Sequence, residues 1–144
     1  MKTTESVPTP LGTQEAYDLI QSNPRAVFID IRSTMEYLMV GHPLGAIHVP
    51  WIDEPEWQTD VPRFVARVRE VMLGGIICEE GDCAPIILIC RSGHRSVEAG
   101  KALLAAGLSS VCHVKDGFEG PLDKDHHRST TAGWRFCGLP WAQC

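Results

Sequence analysis

The sequence has no apolar run approaching the about 20 residues needed to cross a bilayer. It has no block of Lys or Arg either. Its 13 basic residues are outnumbered by 18 acidic ones, for a formal net charge of −5 with His neutral. It therefore lacks the electrostatic footprint of a nucleic-acid binder, and neither nucleic acid nor membrane is expected as a partner. The opening stretch MKTTESVPTPLG carries one Lys but not the apolar centre of a secretory signal, so a cytoplasmic location is expected. Internal repeats, low-complexity tracts and an interdomain linker are also missing, and 144 residues suit one domain with one sizeable core. Cysteine, by contrast, is plentiful: Cys78, Cys83, Cys90, Cys112, Cys137 and Cys144. An even count in a secreted chain would suggest three disulfides. Without a signal, and with enough chain to build a core, reduced thiols are expected.

Residues 1–12 are polar and hold two X-Pro turns, and read as an arm on the surface; the folded domain is expected over 13–144. TQEAYDLIQSNP places Ala16, Leu19 and Ile20 on one helical face, with Thr13 as a candidate N-cap and Pro24 as the stop. AVFIDIR (26–32) is an apolar run of strand length, as suits a strand covered on both faces. AIHV (46–49) reads as a short second strand. DVPRFVARVREVMLGG (60–75) is the clearest helix. Asp60 can cap it, Phe64, Val65, Val68, Val71 and Met72 recur at helical spacing, and Gly74 and Gly75 end it. PIILIC (85–90) is the strongest strand and is expected at the centre of the sheet. SVEAGKALLAAG (96–107) is an amphipathic helix, and SSVCHVKDG (109–117) a strand with a turn. The tail GWRFCGLPWAQ is expected to hold a short helix before Gly138. Strands alternating with helices predict an α/β domain with a mostly parallel sheet.

The chemistry concentrates in IILICRSGHRSVEAG (86–100). In parallel sheets, sites form beyond the carboxyl ends of the strands. Cys90 stands at such an end, with a helix beginning a few residues later. Amides at a helix start converge on negative charge. Gly93 allows a tight turn, Ser92 or Ser96 offers a hydroxyl and a cap, and Arg91 and Arg95 add positive charge. Each of these favours thiolate over thiol at Cys90. A buried, inert cysteine at a strand end is the plainer alternative, and the basic, hydroxyl-rich loop argues against it.

CRSGHRS resembles the active-site loop of the rhodaneses, a sulfurtransferase superfamily. FIDIRSTMEYLMVGHPLGAIHVP resembles that family's upstream signature, through Asp30 and Arg32, Glu36 and Tyr37, Gly41 and His42, Gly45 and Ala46, and Pro50. GWRFCGLPW is similar to the family's C-terminal segment. The resemblance spans roughly residues 13 to 142. Three features depart from it. The Glu36–Gly41 segment is one residue longer than usual, Pro43 and Leu44 replace the more frequent residues, and CEEGDC lies outside the general signature.

The resemblance implies a three-layer α/β/α fold around a mostly parallel five-stranded sheet. It also implies transfer of sulfane sulfur from thiosulfate or a low-molecular-weight persulfide, such as glutathione persulfide, to a thiol or cyanide through a Cys90 persulfide. No metal and no cofactor beyond that covalent intermediate is implied. Arg91, Ser92, Gly93, His94, Arg95 and Ser96 would form the substrate- and persulfide-binding loop, with Asp30 and Arg32 in support and Arg95 paired to Asp30. A thiol-bearing protein is a candidate acceptor. Two alternatives stand beside this reading. One is a non-catalytic interaction module, which the retained cysteine and arginines argue against. The other is a cysteine-dependent phosphatase or arsenate reductase. Those enzymes use Cys-x5-Arg, whereas Cys90 to Arg95 is Cys-x4-Arg, a narrower ring.

The remaining candidates read more plainly. Cys78 and Cys83 lack a clear second ligand pair for zinc, since adjacent His126 and His127 rarely converge. They read as loop thiols, with a disulfide or a resolving thiol as alternatives. His94 reads as a loop-shaping residue, and His42 and His48 as structural. Trp134 and Trp141 are expected to pack on the sheet edge. DKDHHR (123–128) reads as a solvated loop, and WIDEPEW (51–57) as a partly buried one.

Overall fold

The computed structural model describes residues 7–73 and 84–143. Ile86, Ile87, Leu88 and Ile89 have no polar alternate, so a strand made of them must be covered on both faces. All four are fully buried. In chain order the elements are β1 (Thr9–Leu11), α1 (Thr13–Ser22), β2 (Val27–Asp30), β3 (His42–Pro43), β4 (Ile47–His48), β5 (Ile52–Asp53), β6 (Gln58–Thr59), α2 (Val61–Leu73), β7 (Ile86–Ile89), α3 (Arg95–Ala105), β8 (Val111–Val114) and β9 (Trp141–Ala142). One five-stranded sheet runs in the order β1-β8-β7-β2-β4, every pairing parallel, with β7 at its centre as expected. The β3–β9 and β5–β6 pairs form two small antiparallel ribbons outside it.

The side-chain period of two divides the core. Ile86 and Leu88 pack with Phe64, Val65 and Val68 of α2 and with Ala99 and Leu103 of α3. Ile87 and Ile89 pack on the opposite face with Ala16 of α1, Phe28, Phe118 and Trp134. Each buried Val, Leu, Ile or Phe among them contributes about 1.5–3 kcal/mol relative to exposure. The result is the expected three-layer α/β/α sandwich. Among the described residues no helix is long and apolar enough to cross a membrane.

Four local readings change. The arm expected over 1–12 enters the sheet: Thr9–Leu11 pair with Cys112–Val114 as the edge strand β1. A proline is tolerated there because an edge strand has one unpaired side, and Leu11 buries its side chain in the core. The cap of α1 is Gly12, whose N–H donates to Glu15 Oε1 at 3.1 Å, while Thr13 is the first helical residue. The tail helix is replaced by turns, in which the Cys137 and Gly138 amides donate to the carbonyls of Gly133 and Arg135. Four residues between two glycines are too few to repay helix nucleation. Trp134 lies on a sheet face, not at its edge, against Phe28 and Tyr17 with ring centroids 5.1 and 5.8 Å away.

Other readings match. The cap of α2 is as read, with the Arg63 N–H donating to Asp60 Oδ1 at 3.1 Å. Its glycine stop, Cys78, Cys83 and Cys144 lie outside the described residues. The extra residue between Glu36 and Gly41 is absorbed by a single π turn over Glu36–Val40, closed by the Gly41 N–H to Glu36 O at 3.2 Å. Such single π turns are rare and occur often at functional sites.

Candidate active site

Cys90 follows directly on β7, so the most buried strand delivers its side chain to the start of α3. The Gly93 N–H donates to Cys90 Sγ at 3.2 Å and the Ser96 N–H at 3.3 Å. The sulfur therefore occupies the place of a helix-capping oxygen and takes up amides that the helix leaves unpaired. This corrects the expected serine cap. His94 holds the cap position without a side-chain bond. Ser96 instead turns its hydroxyl inward, 3.4 Å from Cys90 Sγ and 3.2 Å from the Gly93 carbonyl. Cys90, Gly93 and Ser96 are buried, whereas Arg91 and His94 are exposed at the mouth. Ser92 Oγ lies 3.4 Å from His94 Nδ1.

Gly93 makes the tight ring possible. It has φ +103°, and a Cβ there would run into the carbonyl oxygen of Lys115 beyond β8. The other side of the loop is held by its own backbone. The Phe118 N–H donates to Cys90 O at 2.8 Å and the Glu119 N–H to Arg91 O at 2.9 Å.

Arg95 does not pair with Asp30. Its Nη1 and Nη2 donate to Glu36 Oε1 and Oε2 at 2.9 and 3.0 Å. Asp30 is already engaged by Arg32, two residues along and directed to the same side, with 2.7 Å between Nη2 and Oδ2 and both side chains fully buried. Arg32 also donates to the Gly41 carbonyl and stacks on Phe118, 4.5 Å from the ring centroid. Asp30 and Arg32 thus brace the π turn and the segment behind Cys90 and do not touch the sulfur. The π turn sets Glu36 in reach of Arg95, and Asp53 anchors its approach by accepting bonds from the Thr34 amide and hydroxyl at 2.8 and 2.6 Å. His42 and His48 are structural, as read. Tyr37 is stacked between their rings, 4.0 and 4.4 Å away.

Burial pushes the Glu36 carboxyl up, but the hydrogen bond and charge of Arg95 and the Ser33 amide outweigh it and leave the pKa at about 2, against an ordinary 4.5. Burial also works against the Arg95 charge, and Glu36, then Cys90 and Asp30, raise the arginine above its ordinary value. A carboxylate depressed in the fold contributes stability that is present above its unfolded pKa and is lost as pH falls through the folded value. The stability advantage of the wild type over Glu36→Gln is therefore expected to be steady at neutral pH and to shrink between about pH 4.5 and 2. Urea titrations of both proteins across that range check this; a pH-independent difference would contradict the pairing.

Among the described residues two further cysteines are free thiols. Cys112 is half-buried on β8, and burial, then the Glu15 charge, raises its pKa and keeps it a thiol. Cys137 is an exposed free thiol. Among the described residues no cluster of His, Cys, Asp and Glu could hold a metal ion. DKDHHR is exposed over 124–127 and half-buried at Asp123 and Arg128, and it is folded about Asp123, which accepts bonds from the Asp125 and His127 amides. In WIDEPEW, Trp51 packs on Phe64 while Trp57 is exposed.

Sequence reasoning missed two positions that meet the cysteine loop. Glu36 was visible only as part of a signature, without its partner. His113, behind Ser96, sits in a stretch read simply as a strand. Its contact is 17 residues away, and no local pattern signals it.

A parallel α/β sheet whose central strand hands a cysteine sulfur to helix-start amides inside a Cys-x4-Arg ring defines a class of proteins with a cysteine loop at the carboxyl end of the sheet. The chain belongs to the rhodanese-like domain family: the model of the Rhodanese-like domain matches residues 13–123. The crystal structure of Rv0390 from M. tuberculosis is similar, with a TM-score of 0.80 and 33% identity over 96% of this chain and all of that one. The chain is 30% identical to thiosulfate sulfurtransferase 16, chloroplastic, of Arabidopsis thaliana, over 78% of this chain and 85% of that protein. An uncharacterized protein of Rickettsia conorii is 27% identical over 88% of this chain and 91% of its own.

Proposed function

We propose that the chain is a sulfurtransferase that carries sulfane sulfur on Cys90. The observation that carries this reading is the sulfur itself, accepting the Gly93 and Ser96 amides at the start of α3. The Cys90 thiolate attacks the outer sulfur of thiosulfate or of a low-molecular-weight persulfide such as glutathione persulfide. A Cys90 S–S bond forms as the donor's S–S bond breaks, and sulfite or a thiolate leaves with the electron pair. The outer sulfur, now anionic, lies among the loop amides, which act on it as an oxyanion hole acts on oxygen. An acceptor thiolate, on a small molecule or a protein, or cyanide then attacks that sulfur and Cys90 leaves as thiolate. No cofactor or metal takes part, and turnover is ping-pong. Arg91, exposed at the mouth, attracts an anionic donor. Arg95, tied to Glu36, holds the ring in shape. The reading suits a reducing, cytoplasmic setting in which Cys90 stays a thiol. The name of the Arabidopsis relative agrees with it.

The test is intact-mass analysis after incubation with thiosulfate or glutathione persulfide, followed by peptide mapping. A gain of one sulfur atom on the Cys90 peptide, removed by cyanide, is expected. No gain from either donor would sink the proposal. The ring also predicts what the protein does not do. Cys-x4-Arg is too narrow for a tetrahedral phosphoryl group, so a chromogenic aryl phosphate is expected to show no turnover above buffer. Efficient hydrolysis without sulfur uptake would replace this reading by the phosphatase one.

A further inference from the structure

Behind the cysteine lies a histidine that the sulfur chemistry above does not use. His113 is 5% exposed, in the middle of β8 between Pro10 of β1 and Leu88 of β7. Its Nδ1 lies 2.7 Å from Ser96 Oγ, and that oxygen lies 3.4 Å from Cys90 Sγ. Ser96 is fully buried, so solvent does not supply its partners. The hydroxyl has one proton and three acceptors in reach: Nδ1, the Gly93 carbonyl and the sulfur.

Two proton arrangements fit this chain of atoms. In the first, the Cys90 thiol donates to Ser96 Oγ and the Ser96 hydroxyl donates to His113 Nδ1. In the second, His113 Nδ1–H donates to Ser96 Oγ and the Ser96 hydroxyl donates to the thiolate. We propose that His113 is a positioning residue for Cys90, taking up the thiol proton through Ser96 and turning the serine hydroxyl onto the sulfur. The inference rests on the reading of Cys90 as the nucleophile. The step is a double proton shift. The S–H bond breaks as a new O–H bond forms on Ser96, and the original Ser96 O–H bond breaks as N–H forms on His113. Ser96 stays neutral, the products are thiolate and imidazolium, and no oxidant or reductant is needed.

Burial pushes His113 below the ordinary imidazole range, so it is neutral near pH 7 with one ring nitrogen open to a proton. The β1 and β7 neighbours bring no charge to it, and α3 brings the Ser96 hydroxyl. Among the described residues, the charged and titratable groups tied to the Cys90 loop are Arg91, His94 and Arg95, with Glu36 and Asp30 beyond Arg95, while Lys115, whose backbone faces Gly93, and Asp116 follow β8 in the chain. Of these, Arg95 is paired to Glu36 and Asp30 to Arg32.

The test is the pH profile of Cys90 alkylation by iodoacetamide, a neutral reagent that reads thiolate, followed on the Cys90 peptide of the full chain by mass spectrometry. His113→Phe is expected to move the profile up by about one pH unit, which is about tenfold slower alkylation on its acid limb. His113→Asn, which can bond Ser96 but takes no proton, is expected to move it likewise, and decides the matter if the phenylalanine variant does not fold. In a Ser96→Ala background, replacing His113 is expected to add nothing. A profile unmoved by the His113 replacements overturns the relay. So does one moved equally with and without Ser96, or one restored by asparagine, which would leave His113 only an orienting contact. Alkylation needs no sulfur donor. A chain that alkylates as expected but takes no sulfur from thiosulfate or a persulfide would sink the functional reading and leave the relay standing.

Discussion

Cys90→Ser is expected to eliminate sulfur uptake and turnover while leaving the fold in place. The substitution keeps the size of the side chain nearly unchanged, so the packing of the β7 end is preserved. The Gly93 and Ser96 amides that now reach the sulfur at 3.2 and 3.3 Å find an oxygen acceptor instead, and oxygen is a better capping atom than sulfur. Thermal stability is therefore expected to change by no more than about 1 kcal/mol in either direction. The chemistry has no such substitute. A serine hydroxyl stays protonated near pH 7 and does not form a stable bond to sulfane sulfur. Thiosulfate-to-cyanide turnover is expected to fall to the uncatalysed background, with no mass gain, while circular dichroism remains native. Comparable turnover by the folded variant would show that the sulfur is carried elsewhere, and Cys137, the exposed thiol among the described residues, would be examined next.

Gly93→Ala is expected to have an almost equal effect on activity through a different cause. The backbone at Gly93 has φ +103°, a region that L side chains seldom enter, and the new Cβ would meet the Lys115 carbonyl oxygen. Both partners in that clash are backbone or attached directly to it, so no side-chain rotation relieves it. The loop must move away from the segment beyond β8. The Gly93 amide then leaves the sulfur, and the ring that would receive the outer sulfur widens. Strain of this kind costs about 1–3 kcal/mol, which for a domain of this size lowers Tm by on the order of 5 °C. Sulfur transfer is expected to fall by about 100-fold or more, since displacement of about 1 Å at a reacting centre has that effect. Turnover within a few-fold of wild type, together with an unchanged Tm, would show that the loop does not depend on this close approach.

The two substitutions mark what is legible in the sequence. Cys90, Gly93 and Ser96 were readable because their chemistry is local. A cysteine at a strand end, a glycine three residues on and a helix start after that lie within one turn of chain, so residue types and spacing specify the arrangement. The parallel sheet was readable for a similar reason, since a strand with no polar alternate, such as Ile86–Ile89, has to be buried on both faces. The extra residue before Gly41 was countable, but its form as a π turn was not.

By itself, then, the sequence determined the layered α/β architecture, the central place of β7 and the identity of the sulfur-bearing loop. Each follows from hydrophobic period or from residues adjacent in the chain. The tertiary structure alone decided how the charges and protons are partnered. Arg95 could meet Asp30 or Glu36. It meets Glu36, 59 residues away, because Arg32 already satisfies both oxygens of Asp30 and the π turn swings Glu36 into reach. Ser96 could cap its helix. It faces the sulfur and His113 instead, because Cys90 has taken the helix-start amides. Thr9–Leu11 could lie on the surface, yet β8 offers an open edge to pair with. In each case several partners satisfy the same donor or charge equally well in chemistry. Only the packed sheet brings one of them within hydrogen-bonding distance, because interactions of this kind are decided over about 3 Å.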